Sequence, residues 1–464
     1  MFTNRDLRKL ILPLIIEQLL SISVGMFDTI MISSLGDSAT SGVSLVDMLN
    51  VLMINIFAAL ATGGAVICAH EIGRVRSVIG NAADSEQVGD CPGARYAAKQ
   101  LLFVLLISSV LVAGVAVWLR VGLLRLCFGA IEDDVMQHAL VYFVISAISY
   151  PFVAIYNGLA ALFRTMGNSR VTMVASFILN IVNIVGNALF IYVFKWGVAG
   201  AAWSSTISRM VGMILLLILI GDRTKAIYID FRERFRPDFS MIRRILRIGI
   251  PGSLENSVFQ LGRILVISMI AGFGTVQVAA NAVANNLDSV GCIPGQALSL
   301  AMITVVGQCI GAGDFVAARK YEQKLMKYAF AFMGVLNILI LATLPLSLKL
   351  YSLSEEALGV AMILILLHDG FAILLWPPSF VLPNALRAAQ DVRFTMVISI
   401  FSMIAFRIFF SWIIGVRFGL GIIGVWIAMI IDWVFRASCF IWRIRSGRWL
   451  QRGRPRGAGT PPRA

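Results

Sequence analysis

LPLIIEQLLSISVGMFDTIMISSLG, residues 12–36, is an apolar stretch that nevertheless holds a proline, a glutamate and an aspartate. About twenty apolar residues suffice to cross a bilayer as a helix. The stretch recurs 238 residues later: Pro13 and Glu17 fall on Pro251 and Glu255, Met31 and Ile32 on Met269 and Ile270, and Gly36 on Gly274. The same offset carries His70 to Gly73 (HEIG) onto Gln308 to Gly311 (QCIG). A chain that repeats a charged, proline-bearing membrane segment reads as two bundles of one design, and sites in such proteins tend to lie between the halves.

The rest of the chain agrees. Of 464 residues, 59% are hydrophobic and 14% charged, with a mean hydropathy of +0.86, more apolar surface than water can cover. Apolar windows place about twelve spans, starting near residues 10, 43, 98, 136, 171, 198, 245, 279, 327, 358, 394 and 420. The expected fold is an all-α polytopic membrane protein of two six-helix lobes related by an internal parallel repeat. Its parts are an N-terminal lobe over 1–222, a basic linker over 223–247, a C-terminal lobe over 248–449 and a disordered basic tail over 450–464.

A net charge of +14 could suggest nucleic acid, but the charges are placed otherwise. Of 39 Lys and Arg, 30 fall in the N-terminus, the even-to-odd loops and the C-terminus. This positive-inside pattern puts both termini in the cytoplasm, and the basic face meets anionic lipid headgroups rather than nucleic acid. The first span directly follows Arg5, Arg8 and Lys9 and reads as a retained helix, not a cleaved signal. The six cysteines form no disulfide framework. The linker carries eight Lys/Arg and reads as partly amphipathic helix on the lipid surface. The loop after span 2 is 18 residues longer than its counterpart and reads as a surface insertion.

Glu17 and Asp28 share span 1. An intramembrane carboxylate is either a partner for a neighbouring helix or a site for a proton or cation. Asn180, Asn183 and Asn187 lie three and four residues apart along one face of span 5, as interhelical glue or as oxygen ligands around a carboxylate. The second half keeps Glu255 but has Val266 where the offset places a copy of Asp28, so the halves are chemically unequal. His368 and Asp369 are neighbours in span 10, either a titrating pair or a static one. His70 and Glu71 have no HExxH spacing and read as helix-end capping. Arg164 and Arg170 read as caps at the headgroup level, and Asp432 and Arg436 can pair at i, i+4.

PLIIEQLLSISVGMFDTIMISSLG, GVAGAAWSS (197–205), VVGQCIGAGDFVAARK (305–320), LRAAQDVRFTM (386–396) and GIIGVWIAMIIDWVFR (421–436), in this order and spacing, resemble the multidrug and toxic compound extrusion (MATE) family. The resemblance covers about residues 8–449. It implies a central cavity and alternating access, with export of amphipathic, often cationic, small molecules driven by H⁺ or Na⁺ entry and no other cofactor. The family's first-helix aspartate falls on Asp28, its span 5 asparagines on Asn183 and Asn187, and its span 6 threonine on Ser205. Any Na⁺ would sit at Asp28. Members that use a second-lobe carboxylate have a span 7 glutamate, which falls near Phe259 or Gln260 here and not on Glu255; Asp369 is an analogue of their span 10 aspartate.

Two other readings remain. A flippase for lipid-linked precursors keeps the fold and changes the cargo, but it would line its cavity with cations, and only Arg209, Arg263, Arg407 and Arg436 lie within spans. A membrane enzyme at His70-Glu71 or His368-Asp369 has no HExxH, GxSxG or Walker-type loop behind it. The expectation is a non-enzymatic transporter, monomeric, in a prokaryotic inner membrane.

Overall fold

The computed structural model describes residues 2–79, 90–129, 132–230, 232–349, 351 and 354–452, and among them there is no β-strand. The first half supplies α1 (Asn4–Ser33), α2 (Asp37–Ile79), α3 (Pro92–Trp118), the short α4 (Arg120–Phe128), α5 (Asp133–Ile148), α6 (Tyr150–Thr165), α7 (Ser169–Asn187) and α8 (Gly197–Ile220). The second supplies α9 (Phe239–Ala271), α10 (Thr275–Gly291), α11 (Ile293–Gly311), α12 (Phe315–Leu348), α13 (Glu355–Trp376), α14 (Pro383–Ala388), α15 (Val392–Ser402), α16 (Gly421–Arg445) and the short α17 (Arg448–Arg452).

Among the described residues, 11 helical runs are long and apolar enough to cross a bilayer, and α5 with α6, bent by 46°, makes a twelfth. Pro151, in the first turn of α6, removes a backbone donor where the two helices meet at Ser149. The membrane-facing surfaces are apolar: on α3, Leu106, Ile107, Val110, Leu111 and Val115 are all exposed. Such a patch suits lipid, not water. The protein is an all-α, multi-pass membrane protein, and no disulfide joins its six cysteines.

The internal repeat is visible in the backbone. Gly36, between α1 and α2, and Gly274, between α9 and α10, take φ of 103° and 105°, a region that favours glycine. Ala188–Val193 and Trp412–Arg417, 224 residues apart, are both π-helical and both precede the last long helix of their half. A Cβ on Gly200 would lie 3.0 Å from the backbone of Phe190, and one on Gly424 would lie 2.7 Å from that of Ile414. Each glycine therefore lets the last long helix lie against the π-helical turn before it.

The two copies of the HEIG/QCIG motif meet each other. A Cβ on Gly73 of α2 would fall 2.0 Å from the carbonyl oxygen of Gln308, and one on Gly311 of α11 would fall 2.1 Å from that of His70. Arg76 Nη1 donates to Gln308 Oε1 at 2.7 Å across the same crossing. His70 Nε2 lies 2.7 Å from the carbonyl oxygen of Ala388, capping the end of α14, and Nδ1 lies 3.2 Å from Gln390 Nε2. Gly73→Ala and Gly311→Ala should each force the backbones apart and destabilise the protein by about 1–3 kcal/mol. Thermal unfolding in detergent checks this, with Gly114→Ala as control, since a Cβ there meets nothing within 4 Å.

The chain forms two compact units. One consists of Asn4–Cys68 and Ser85–Leu261, the other of Met1–Thr3, Ala69–Asp84 and Gly262–Ala464, so α2 and α9 each contribute to both.

The basic linker, expected to be partly helical, is helical in its last part only. Its last residues are the first turns of α9, but the described residues from 221 to 238 are not helical. The side chains of Asp222, Asp230 and Asp238 accept the backbone N–H groups of Thr224, Arg232 and Ser240, turn geometries that compete with a helix. The Thr224 N–H, with Lys225 beside it, holds the Asp222 carboxyl down to about 2. This turn therefore loses that contribution only as pH falls toward that value. The segment is tied to the start of α3: Arg95 Nη2 bonds Glu233 at 2.9 Å, Lys99 pairs with the same carboxylate, and Gln100 Nε2 donates to the Arg236 carbonyl at 2.8 Å. The insertion expected after span 2 falls largely on residues 80–89, outside the described residues, as does the tail beyond residue 452.

Candidate functional site

The site is built where α1, α7 and α8 pack together. The three asparagines of α7 fall on one helical face, and Asn180, Asn183 and Asn187 are all buried. Gly186 of α7 has no side chain toward Ser204, and a Cβ there would meet Ser204 Oγ at 2.5 Å. The close approach lets Ser204 Oγ donate to the Asn183 carbonyl at 2.7 Å.

Asn187 Nδ2 donates to Asp28 Oδ1 at 2.5 Å. It also lies 3.5 Å from Asn183 Oδ1, and Asn183 Nδ2 donates to Ser205 Oγ at 3.2 Å. Asp28, Asn187, Asn183 and Ser205 thus form one polar chain through three helices. Asn187 Oδ1 is buried with no hydrogen-bond partner, an acceptor that costs free energy unless a donor or cation reaches it. Asn180 stands apart: its Nδ2 donates to the Leu20 carbonyl at 3.0 Å and clasps α1 to α7 one turn away.

The other sequence candidates are placed differently. Glu17 is buried between α1, α6 and α7, where Arg164 Nη1 donates to Oε1 at 2.8 Å and Thr172 Oγ1 to Oε2 at 2.6 Å. Arg164, expected as a cap among headgroups, is instead the partner of that carboxylate. Glu255 is buried on α9 and Gln260 is half-buried on the same helix. His368 Nδ1 contacts Asp369 Oδ1 at 2.8 Å on α13. Arg436 lies over the Phe380 ring at 4.6 Å, and neither carboxylate oxygen of Asp432 has a hydrogen-bond partner.

Two acids escaped the sequence reading. Asp47 on α2 accepts from Asn50 Nδ2 at 3.2 Å, and Asn50 Oδ1 accepts from Tyr150 at 3.0 Å. Asp28 feels the charges of both Asp47 and Arg209, and Arg209 Nη1 donates to Ser149 Oγ at 2.7 Å. Asp288 on α10 lies beside His368. A signal was present: the 238-residue offset sets Asp47 and Asn50 on Asn285 and Asp288, the same residue pair with the acid exchanged. At the 224-residue offset of the last helices, Asn183 and Asn187 fall on Arg407 and Ser411, so the Asp28 centre exists in one half only.

This centre offers oxygen donors of a kind that suits a hard cation: a carboxylate, two amide oxygens and a hydroxyl. A proton on Asp28 or a cation beside it would each change the Asp28–Asn187 bond that joins α1 to α7. Such an arrangement is chemically suited to reversible ion binding coupled to helix packing.

The comparisons with known proteins agree with this architecture. The MatE family model matches residues 13–189 and 251–413. The uncharacterized transporter YisQ of Bacillus subtilis is 26% identical over 449 residues, covering 95% of this chain and 94% of that protein. The probable multidrug resistance protein NorM of Thermotoga maritima is 24% identical over 459 residues, covering 97% and 94%. A solved structure described as the outward-facing conformation of a multidrug resistance MATE family transporter superposes with a TM-score of 0.85 at 22% identity, covering 96% of each chain. A MOP superfamily transporter from Pyrococcus furiosus, described as having a binding pocket of reversed polarity, also gives 0.85 at 22% identity and 96% of each chain. The chain belongs to the MatE family, the multidrug and toxic compound extrusion (MATE) transporters.

Proposed function

We propose that this MATE transporter is a secondary antiporter that exports amphipathic, cationic small molecules in exchange for H⁺ or Na⁺. The observation that carries the reading is the Asp28–Asn187–Asn183–Ser205 chain, an acid held by amides and a hydroxyl between three spanning helices. Occupancy of Asp28 by the coupling ion alters the α1–α7 contact and lowers substrate affinity on the outward side. Such a difference between states is required, because a ligand that binds two states equally shifts neither. The name of the Thermotoga relative supports the substrate class.

The protein works as a monomer in a prokaryotic inner membrane, with both termini cytoplasmic and its basic loops against anionic headgroups. Ethidium efflux from proteoliposomes, driven by a pH gradient and separately by a Na⁺ gradient, tests the reading. Efflux on one gradient supports antiport and names the ion. No efflux on either, from folded protein, overturns it in favour of a lipid-linked precursor as cargo.

A further inference from the structure

The second half carries charges for which the Asp28 centre has no use. At the 224-residue offset Asn183 falls on Arg407 and Gly212 on Arg436, and at the 238-residue offset Gly25 falls on Arg263 while Asp28 falls on Val266. The carboxylate of the first half is lost from the second, and three guanidiniums stand where the first half has an amide and two glycines.

The fold gathers the three arginines within one compact unit. A Cβ on Gly262 of α9 would lie 2.8 Å from Met403 Cγ. This close packing sets Arg263 beside the π-helical turn Met403–Phe409, to which Arg407 belongs, and such turns concentrate at functional sites. The charges that act on Arg407 are those of Asp432, Arg263 and Arg436. Arg436 of α16 is held over the Phe380 and Phe440 rings at 4.6 and 5.9 Å. Exposure falls from Arg263, which is exposed, through half-buried Arg407 to Arg436 at 3%.

One carboxylate neutralises one guanidinium, so Asp432 leaves two of the three positive charges in excess. Arginine does not shed its proton, and a charge within a membrane span needs water or a partner. Asp432 is 0% exposed with neither oxygen hydrogen-bonded, and Arg407 Nε is buried with no partner. Asp288 and Asp369 do not fill the role: both are gathered at His368, and neither is among the charges that act on Arg407. The planar guanidinium fork matches the paired oxygens of a carboxylate or phosphate.

We propose that Arg263, Arg407 and Arg436 form an anion site in the second half, which takes a carboxylate or phosphate, free or carried by a small molecule. Asp432 tempers the site, since it offsets one guanidinium and repels the incoming anion, so the ligand is held reversibly. The site stands whether or not Asp28 couples transport to an ion.

The test uses the full chain purified in detergent at low salt. Phenyl phosphate and inorganic phosphate are titrated by calorimetry, with benzylamine as the cationic control. The wild type should bind phenyl phosphate saturably, one per chain, and benzylamine should not displace it. Tighter binding of phenyl phosphate than of inorganic phosphate assigns the acidic group of an organic solute, and equal binding assigns the free oxyanion. Arg263→Gln and Arg407→Gln should each weaken binding about tenfold or more, whereas Arg125→Gln, at an exposed position of α4, should leave it unchanged. Asp432→Asn should tighten binding, a gain that a merely structural acid would not produce. No saturable binding by the wild type, which needs no variant to fold, or unchanged affinity in both arginine variants, would overturn the proposal and leave the three arginines as structural charges only.

Discussion

Asp28→Asn should abolish gradient-driven ethidium efflux in proteoliposomes while leaving the protein folded. The substitution keeps the shape of the side chain and its contact with Asn187, but removes the charge that binds a proton or Na⁺. Asn187 donates to that carboxylate at 2.5 Å, and Asn187 Oδ1 has no partner of its own. A hydrogen bond to a charged group contributes roughly 1.5–3 kcal/mol, or about a tenfold to 150-fold change in an equilibrium. On the proposed mechanism the centre couples ion binding to the α1–α7 contact by about that factor, and the asparagine variant has nothing left to couple. Asn180→Ala serves as the contrast, since Asn180 holds the Leu20 carbonyl and not Asp28. It should cost about 1 kcal/mol of stability and leave the ion dependence of efflux unchanged. Efflux by Asp28→Asn at the wild-type rate, with the same ion dependence, would remove Asp28 from the mechanism.

The second large effect concerns Glu17 and Arg164. Their side chains are 10% and 15% exposed, and Thr172 occupies the other carboxylate oxygen. Arg164→Ala strands the carboxylate in an apolar setting and should destabilise the protein by about 3–5 kcal/mol. Replacing both residues by leucine should recover much of that loss, because no uncompensated charge remains. Thermal unfolding of the single and double variants in detergent measures the difference. If the double variant is no more stable than Arg164→Ala, the pair does more than neutralise a buried charge.

These residues also show how far the sequence could be read. The repeat was legible because backbone demands recur with it: the glycines at 36 and 274 mark equivalent positive-φ turns, and those at 73 and 311 a shared crossing. The Asp28 centre was legible because helical spacing puts Asn183 and Asn187 on one face, and the structure joins them to Asp28 and Ser205. The partner of Glu17 was not legible. Arg164 lies 147 residues away on another helix, and only packing decides whether an arginine at a helix end meets a phosphate or a carboxylate. Asp47 and Asp288 were marked only by a repeat that exchanges the acid between two positions, Asp47–Asn50 against Asn285–Asp288, and their meaning appears when Tyr150 or His368 is brought beside them. How much of the linker is helical was not legible: residues 239–247 begin α9, while the aspartates at 222, 230 and 238 turn the chain before it.

The central claim is that ion occupancy at Asp28 lowers substrate affinity, and linkage makes the effect reciprocal. Ethidium affinity for the purified protein is therefore measured across a pH series without Na⁺ and across a Na⁺ series at fixed pH, for wild type and Asp28→Asn. The account predicts that wild-type affinity falls by about 5–150-fold as one of the two cations rises, and that Asp28→Asn binds ethidium with no such dependence. Wild-type affinity indifferent to both ions, or an equal dependence in Asp28→Asn, would contradict it.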